Sequence, residues 1–311
     1  MAKLRIGISG WRYSPWRGRF YPKDLPQRLE LHYASRQLDS IEINGSFYSL
    51  QCPESWRNWY RDTPRGFVFA VKAPRFITHM RRLREMDKPL ANFLASGVLE
   101  LREKLGPMLW QFPPDMKYDH ALFDAFLSSL PRESRTALAL AAHHDHRLKH
   151  VGDLSLQRNH RVRHAIEVRH DSFRAPAFIE LLRKHRVALV VSDAATKWPK
   201  LRDVTGDFIY MRMHGDEVLY SSGYSDTALD DWALSIRAWM KGGQPRDARH
   251  RASDRPPPER MSRDVYCYFD NDAKVKAPFD AMKLRERFTA GRSPGPLDRS
   301  SSGSPSRAGW R

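Results

Sequence analysis

Glu42, Lys72, Glu167, Asp193 and His214 are the side chains of this sequence best suited to moving protons, and each sits in or just after a short apolar run. Glu167 or Asp193 reads as a general base. His214 reads as the acid or proton shuttle, because imidazole titrates near neutral pH. Glu42 is a carboxylate set between isoleucines, a costly placement unless it is paired or functional. Lys72 pairs with carboxylates, neutralises an anion, or becomes a base if burial lowers its pKa. Arg169 and Arg212 suit bidentate contact with a phosphate or carboxylate, and Asn44 and Gln111 offer neutral hydrogen bonds. His79 lies among Arg75, Arg81, Arg82 and Arg84, a second place for an anion. Glu167, Asp193, His214 and Asp270 also offer an O, O, N, O donor set of a kind that binds Mn2+, Mg2+ or Zn2+.

Positioning such residues around one centre needs an element repeated many times. Strand-like runs are expected at 4–9, 40–44, 66–72, 108–112, 165–169, 187–193, 209–214 and 264–269, separated by helical patterns. In 209–214, period-two alternation puts Tyr210, Arg212 and His214 on one face. Uninterrupted apolar strands such as Val187-Ala188-Leu189-Val190-Val191 indicate a parallel sheet covered on both sides. Eight such units predict one (β/α)8 barrel, whose chemistry belongs at the C-terminal ends of the strands. The first strand leads into an aromatic loop holding Trp11, Tyr13, Trp16, Phe20 and Tyr21, either a plug for the barrel mouth or a wall against substrate. Helices are expected near 90–105 and across the histidine-rich stretch from His143.

At 311 residues, 41% hydrophobic and 11% aromatic, the chain is long enough for such a barrel, which takes ~250 residues. It has no apolar run of the ~20 residues a membrane span needs, and no apolar N-terminal segment of signal-peptide length, so a cytoplasmic location without a membrane partner is expected. Cys52 and Cys267 lie far apart and form no disulfide or zinc pattern, and Cys267 is expected to face the helix layer. A net charge of +17 attracts phosphate backbones, but part of it sits in two segments too polar to bury a core. These are an insertion at 241–263, rich in Pro and Gly, and a tail at 289–311 rich in Ser, Gly and Arg; both are expected to be disordered.

Several motifs are similar to a known family. Gly7-Ile8-Ser9-Gly10-Trp11, Phe20-Tyr21-Pro22, Glu42-Ile43-Asn44 with Phe47-Tyr48, Thr78-His79, Gln111-Phe112-Pro113, Glu167-Val168-Arg169-His170, Ser192-Asp193, Arg212-Met213-His214-Gly215 and Tyr268-Phe269-Asp270-Asn271 together resemble the YecE-like proteins, the domain of unknown function 72. The resemblance covers roughly residues 1 to 288. It implies a TIM barrel and adds Asn271 to the candidate binding residues, but it implies no settled reaction. In this sequence Asp270 stands where the family often has Asn.

Three functions are compatible with these residues. The first is an enzyme, isomerase-like, epimerase-like or hydrolase-like, acting on a small anionic or sugar-like substrate by acid–base chemistry, with or without a divalent metal. The second is a nucleic-acid-binding protein or metal-dependent nuclease that uses the basic surface and aromatic loop. The third is a noncatalytic metabolite binder.

Overall fold

The structure, a computed structural model, describes residues 1–155, 158–194, 197–215, 219, 222–245 and 250–289. Eight parallel strands close into a barrel in sequence order: β1 (Leu4–Ser9), β2 (Ser40–Ile43), β3 (Val68–Lys72), β4 (Leu105–Gln111), β5 (His164–Glu167), β6 (Ala188–Asp193), β7 (Phe208–Met213) and β8 (Asp264–Phe269). β8 pairs with β1 from Leu4↔Val265 to Ile8↔Phe269, which completes the ring. The helices around it are α1 (Glu30–Gln37), the single turn α2 (Gly45–Tyr48), α3 (Pro53–Asp62), α4 (Asp87–Ala95), α5 (His120–Ser129), α6 (Ser134–Ala141), α7 (Pro176–His185), α8 (Asp226–Met240) and α9 (Ala277–Thr289). None is long and apolar enough, among the described residues, to cross a membrane.

Strand alternation divides the core in two. Ile6, Ile8, Ile41, Val71, Val191, Met211 and Cys267 pack outward against the helices. Ala70, Leu109, Ala165, Ala188, Val190, Phe208, Tyr210, Tyr266 and Tyr268 fill the barrel. Alanine opposite tyrosine lets the interior layers interdigitate, as close packing requires. At the N-terminal floor Arg163 bonds to Asp264 at 2.7 Å and to the Tyr266 hydroxyl at 3.1 Å. Gly7 is required where β1 passes β2, since a Cβ there would fall inside contact distance of the Ser40 carbonyl oxygen. Gly7→Ala is therefore expected to cost about 3 kcal/mol, read as a shift in the denaturation midpoint.

Two sequence expectations about helices are corrected. The 90–105 region breaks at Gly97, whose left-handed φ of 104° ends the run after α4 and starts a 3-10 segment, Val98–Lys104. The histidine-rich stretch does not continue a helix, because α6 stops at Ala141. Asp145 instead turns back to Asn92, accepting from Nδ2 at 2.9 Å, and His164 opens β5 in full burial between Trp110 and the Pro131 carbonyl. Burial lowers the His164 pKa to about 3, so it is a neutral packing residue.

The described residues of 241–263 include no α-helix and no strand. They are nonetheless tied to the barrel. The Asp203 carboxylate accepts from the backbone amides of Ala252 at 2.8 Å and Ser253 at 3.1 Å. The buried Arg263 guanidinium donates to the carbonyls of Gly242 and Pro258. Residues 246–249 and the tail from 290 lie outside the described residues.

Candidate active site

Inward-facing residues near the C-terminal strand ends replace the apolar interior with charge. Arg212 of β7 is 1% exposed and lies at the centre. Its Nε and Nη2 donate to Glu42 at 3.1 and 3.0 Å, Nη1 donates to Glu167 at 2.8 Å, and Nη2 donates to Asp270 at 2.8 Å. Glu42 also accepts from Ser9 Oγ at 2.9 Å and from the Tyr210 hydroxyl at 2.6 Å. Glu167 accepts from Gln111 at 3.0 Å and from Arg169 at 2.8 Å. Asp270 lies 3.0 Å from His214 Nδ1. Fully desolvated carboxylates need this many donors to remain charged.

The network fixes protonation. Burial alone would raise the Glu167 pKa, but Arg169 and Arg212 hold it well below the ordinary carboxylate value. Asp270 is lowered in the same way by Arg212 and His214 against its desolvation. Glu167 is thus held as an anion, and the oxygens of both Glu42 and Glu167 are already occupied by donors. That arrangement does not suit Glu167 to the general-base role its sequence position suggests. Arg212, expected to hold substrate, is occupied by three carboxylates.

Lys72 is different. It is 8% exposed, and its Nζ lies 4.0 Å from the centre of the Phe47 ring. Among the described residues no carboxylate, carbonyl or hydroxyl stands within hydrogen-bond or ion-pair distance of Nζ. Desolvation, followed by the Arg212 charge, lowers its pKa to about 8, although Glu167, Glu42 and Asp270 oppose the shift. It lines an open cavity of about 740 Å3 with Tyr13, Asn44, His79, Gln111, Arg169 and Asp272, among others, a volume suited to a small metabolite.

Cationic and acidic groups surround that amine. Arg75 is exposed on the rim, beside the Tyr48 ring. Arg169 stacks 3.7 Å from the centre of the Trp198 ring. His79 sits on a single π-helical turn, Phe76–Met80, a distortion often found at functional sites. Its Nδ1 is 2.8 Å from Thr78 Oγ1, and desolvation with the charges of Lys72 and Arg169 lowers its pKa to about 4. The imidazole is consequently neutral at pH 7. Asn44 reaches the cavity with a buried Oδ1 that accepts no hydrogen bond among the described residues. Asp272, raised to about 6 by burial and the nearby Asp270 charge, was not singled out as a site residue from the sequence. Its spacing of two from Asp270 is the signal that could have found it.

Three expected site residues lie elsewhere. Asp193 faces outward, opposite in phase to Ser192, and binds Lys200 Nζ at 2.6 Å and Trp232 Nε1 at 3.1 Å in the helix layer. Asn271 also faces outward, donating to the Ser222 carbonyl at 2.9 Å and to Asp280 at 2.8 Å. Trp11 is packed edge-on against Trp59 at 5.4 Å and borders a separate cavity of about 250 Å3 rather than the Lys72 cavity. Its loop is largely a packed plug in which Trp16, Phe20 and Tyr21 are buried.

The four-ligand metal set fails on the same geometry. Asp193 points away, and Glu167 and Asp270 spend their oxygens on Arg212. Among the described residues no three His, Cys, Asp or Glu side chains are grouped to hold a metal ion. Asp193→Asn is expected to destabilise the fold by about 1–3 kcal/mol in thermal unfolding, with the reactivity of Lys72 unchanged.

Comparisons with known proteins agree with this architecture. The family profile described as "Protein of unknown function DUF72" matches residues 5–302. A segment of 116 residues is 31% identical to "UPF0759 protein YunF" of Bacillus subtilis (strain 168), covering 36% of this chain and 40% of that protein. A segment of 135 residues is 29% identical to "UPF0759 protein YecE" of Escherichia coli (strain K12), covering 42% of this chain and 45% of that one. The matched segments therefore span less than half of either relative. A DUF72 family crystal structure from Thermotoga maritima superposes with a TM-score of 0.68 at 22% identity, over 92% of this chain and 99% of that chain. A second, from Enterococcus faecalis, gives 0.65 at 16% identity over 95% and 100%. Structural likeness at these identities establishes the fold.

Proposed function

The chain belongs to the DUF72 family, and within that frame we propose that it is an enzyme that transfers protons on a small anionic substrate held in the barrel mouth. One observation carries the proposal: a buried amine without a carboxylate partner opens onto a metabolite-sized cavity, while every neighbouring carboxylate of the inner layer is engaged by Arg212. A purely structural charge network would pair its lysine. With a pKa near 8, Lys72 can both take and return a proton near neutral pH, the condition for effective general acid–base catalysis.

Arg75 and Arg169 supply the fixed positive charge that would hold a phosphate or carboxylate, and neutral His79 and Asn44 offer hydrogen bonds beside them. Asp272, near 6, is the second titrating group of the cavity. Glu42, Glu167, Asp270 and Arg212 act through position, holding the field around Lys72. The free thiols of Cys52 and Cys267 suit a reducing compartment, and a cytoplasmic location belongs to the same proposal.

Proton NMR in D2O tests the reading by following loss of carbon-bound hydrogen from a panel of sugar phosphates and α-oxo acids. Catalysed exchange into at least one compound is expected, reduced about 100-fold or more by Lys72→Met. Exchange at the buffer rate throughout the panel would overturn the proposal.

A further inference from the structure

The unpartnered amine of Lys72 permits more than proton transfer. Four features of the cavity bear on it. Lys72 is nine-tenths buried, yet the cavity it lines is open to solvent. The charged and titratable groups around it are Arg212 from β7, Glu42 from β2, Glu167 from β5, Asp270 after β8, and Arg75, His79, Arg169 and Asp272 of the cavity lining. Glu42, Glu167 and Asp270 are fixed on Arg212 or Arg169, so none of them holds the amine as a paired ammonium. The remaining contact is the Phe47 ring, a surface that walls the amine without consuming it.

We infer that Lys72 is a covalent nucleophile that forms an imine with the carbonyl carbon of a small anionic aldehyde or ketone, whose phosphate or carboxylate is held by Arg75 and Arg169. This inference rests on the acid–base reading of the same cavity and names its substrate class. The nitrogen lone pair forms the new C–N bond as the carbonyl π electrons move to oxygen, which takes a proton from the cavity. Nitrogen then gives up a proton, and the hydroxyl, protonated, leaves as water. One amine and one carbonyl become one imine and one water, with no net oxidation or reduction. The neutral amine needed for attack is available because burial beside Arg212 disfavours the ammonium form. Once formed, a protonated imine draws electron density from the adjacent C–H bond, which makes the proton transfer of the proposed reaction easier.

Reductive trapping tests the inference on the intact protein. The chain is incubated separately with pyruvate, glyoxylate and dihydroxyacetone phosphate at pH 7.5 and reduced with sodium borohydride. Adducts are then located by peptide mass spectrometry. At this pH the neutral fraction of Lys72 exceeds that of an ordinary lysine about 200-fold, so an adduct at Lys72 is expected at least ten-fold above exposed Lys23 and Lys117. Excess inorganic phosphate should suppress it. The adduct should be absent from Lys72→Arg, a variant that keeps charge and bulk and whose folding is checked by circular dichroism. No adduct with any of the three compounds, or equal labelling of Lys23, Lys72 and Lys117, would overturn the imine. Deuterium exchange without an adduct would overturn the imine while the acid–base reading stands; loss of both would remove both.

Discussion

Arg212→Met is expected to lower stability by at least about 3–5 kcal/mol, the cost of leaving buried charges without their partner. The thermal midpoint should fall by roughly 5 °C or more, given the unfolding entropy of a chain of this size. The reason is local and specific. Arg212 makes hydrogen bonds to three carboxylates, Glu42, Glu167 and Asp270, the first two of them fully buried. Without the guanidinium, desolvation raises their folded-state pKa values above those of the unfolded chain. A group with a raised folded pKa binds protons on folding, so the variant should regain stability as pH falls from 7 to 5. The wild type, whose Glu167 and Asp270 are held low, should lose stability over acid pH as those groups are forced to protonate. Arg212→Lys should not rescue, because a single ammonium cannot match the planar fork that spans three acceptors. Denaturant unfolding of both proteins at pH 3.5, 5 and 7 checks the crossing trend.

Lys72→Met should abolish trapping and exchange while making the protein more stable at neutral pH. The unfolded chain holds the Lys72 proton with the ordinary value of 10.5, whereas the folded chain releases it near 8. The unfolded state therefore binds more protons between these limits, and wild-type stability from this group rises with pH across that window. Below about 8 the full penalty is present, on the order of 3 kcal/mol. Methionine of similar length removes it and fills the same space. The variant's advantage should be largest at pH 7, roughly 5 °C in thermal midpoint, and shrink by pH 10. A destabilised variant at pH 7 would mean that the lysine supports the fold rather than weakening it for function.

Much of the architecture was legible from residue order. The limits of β8 at 264–269 and the alternation of Tyr210, Arg212 and His214 follow from period-two patterning, which tertiary packing had no cause to override. The convergence of Glu42, Lys72, Gln111, Glu167, Arg169 and Arg212 on one mouth followed from the barrel. Phase was the point at which strand-end reasoning failed. Asp193 ends β6, but Val190 faces the barrel interior and Val191 the helices, so the interior phase reaches Ser192 and the acid turns outward. Asn271 is displaced from the Asp270–Asp272 face in the same way.

What the sequence could not reveal is relational. Nothing in the type of Glu42 or Arg212 says that they consume one another, and nothing in Lys72 says that it is left over. Those facts depend on which donors reach which oxygens once strands far apart in sequence are neighbours. The Gly97 break was masked by apolar periodicity on both sides, and the packed character of 250–263 by a polar composition that satisfies its backbone on Asp203.

The most direct measurement is the pH dependence of acylation at Lys72, read by competitive labelling with acetic anhydride and mass spectrometry of the intact protein's peptides. The account predicts a midpoint near 8 for Lys72, well below the labelling midpoints of exposed Lys23 and Lys117 in the same samples. A Lys72 midpoint matching those exposed lysines would contradict it, because the amine would then be a paired or solvated cation and not the reactive centre of the barrel mouth.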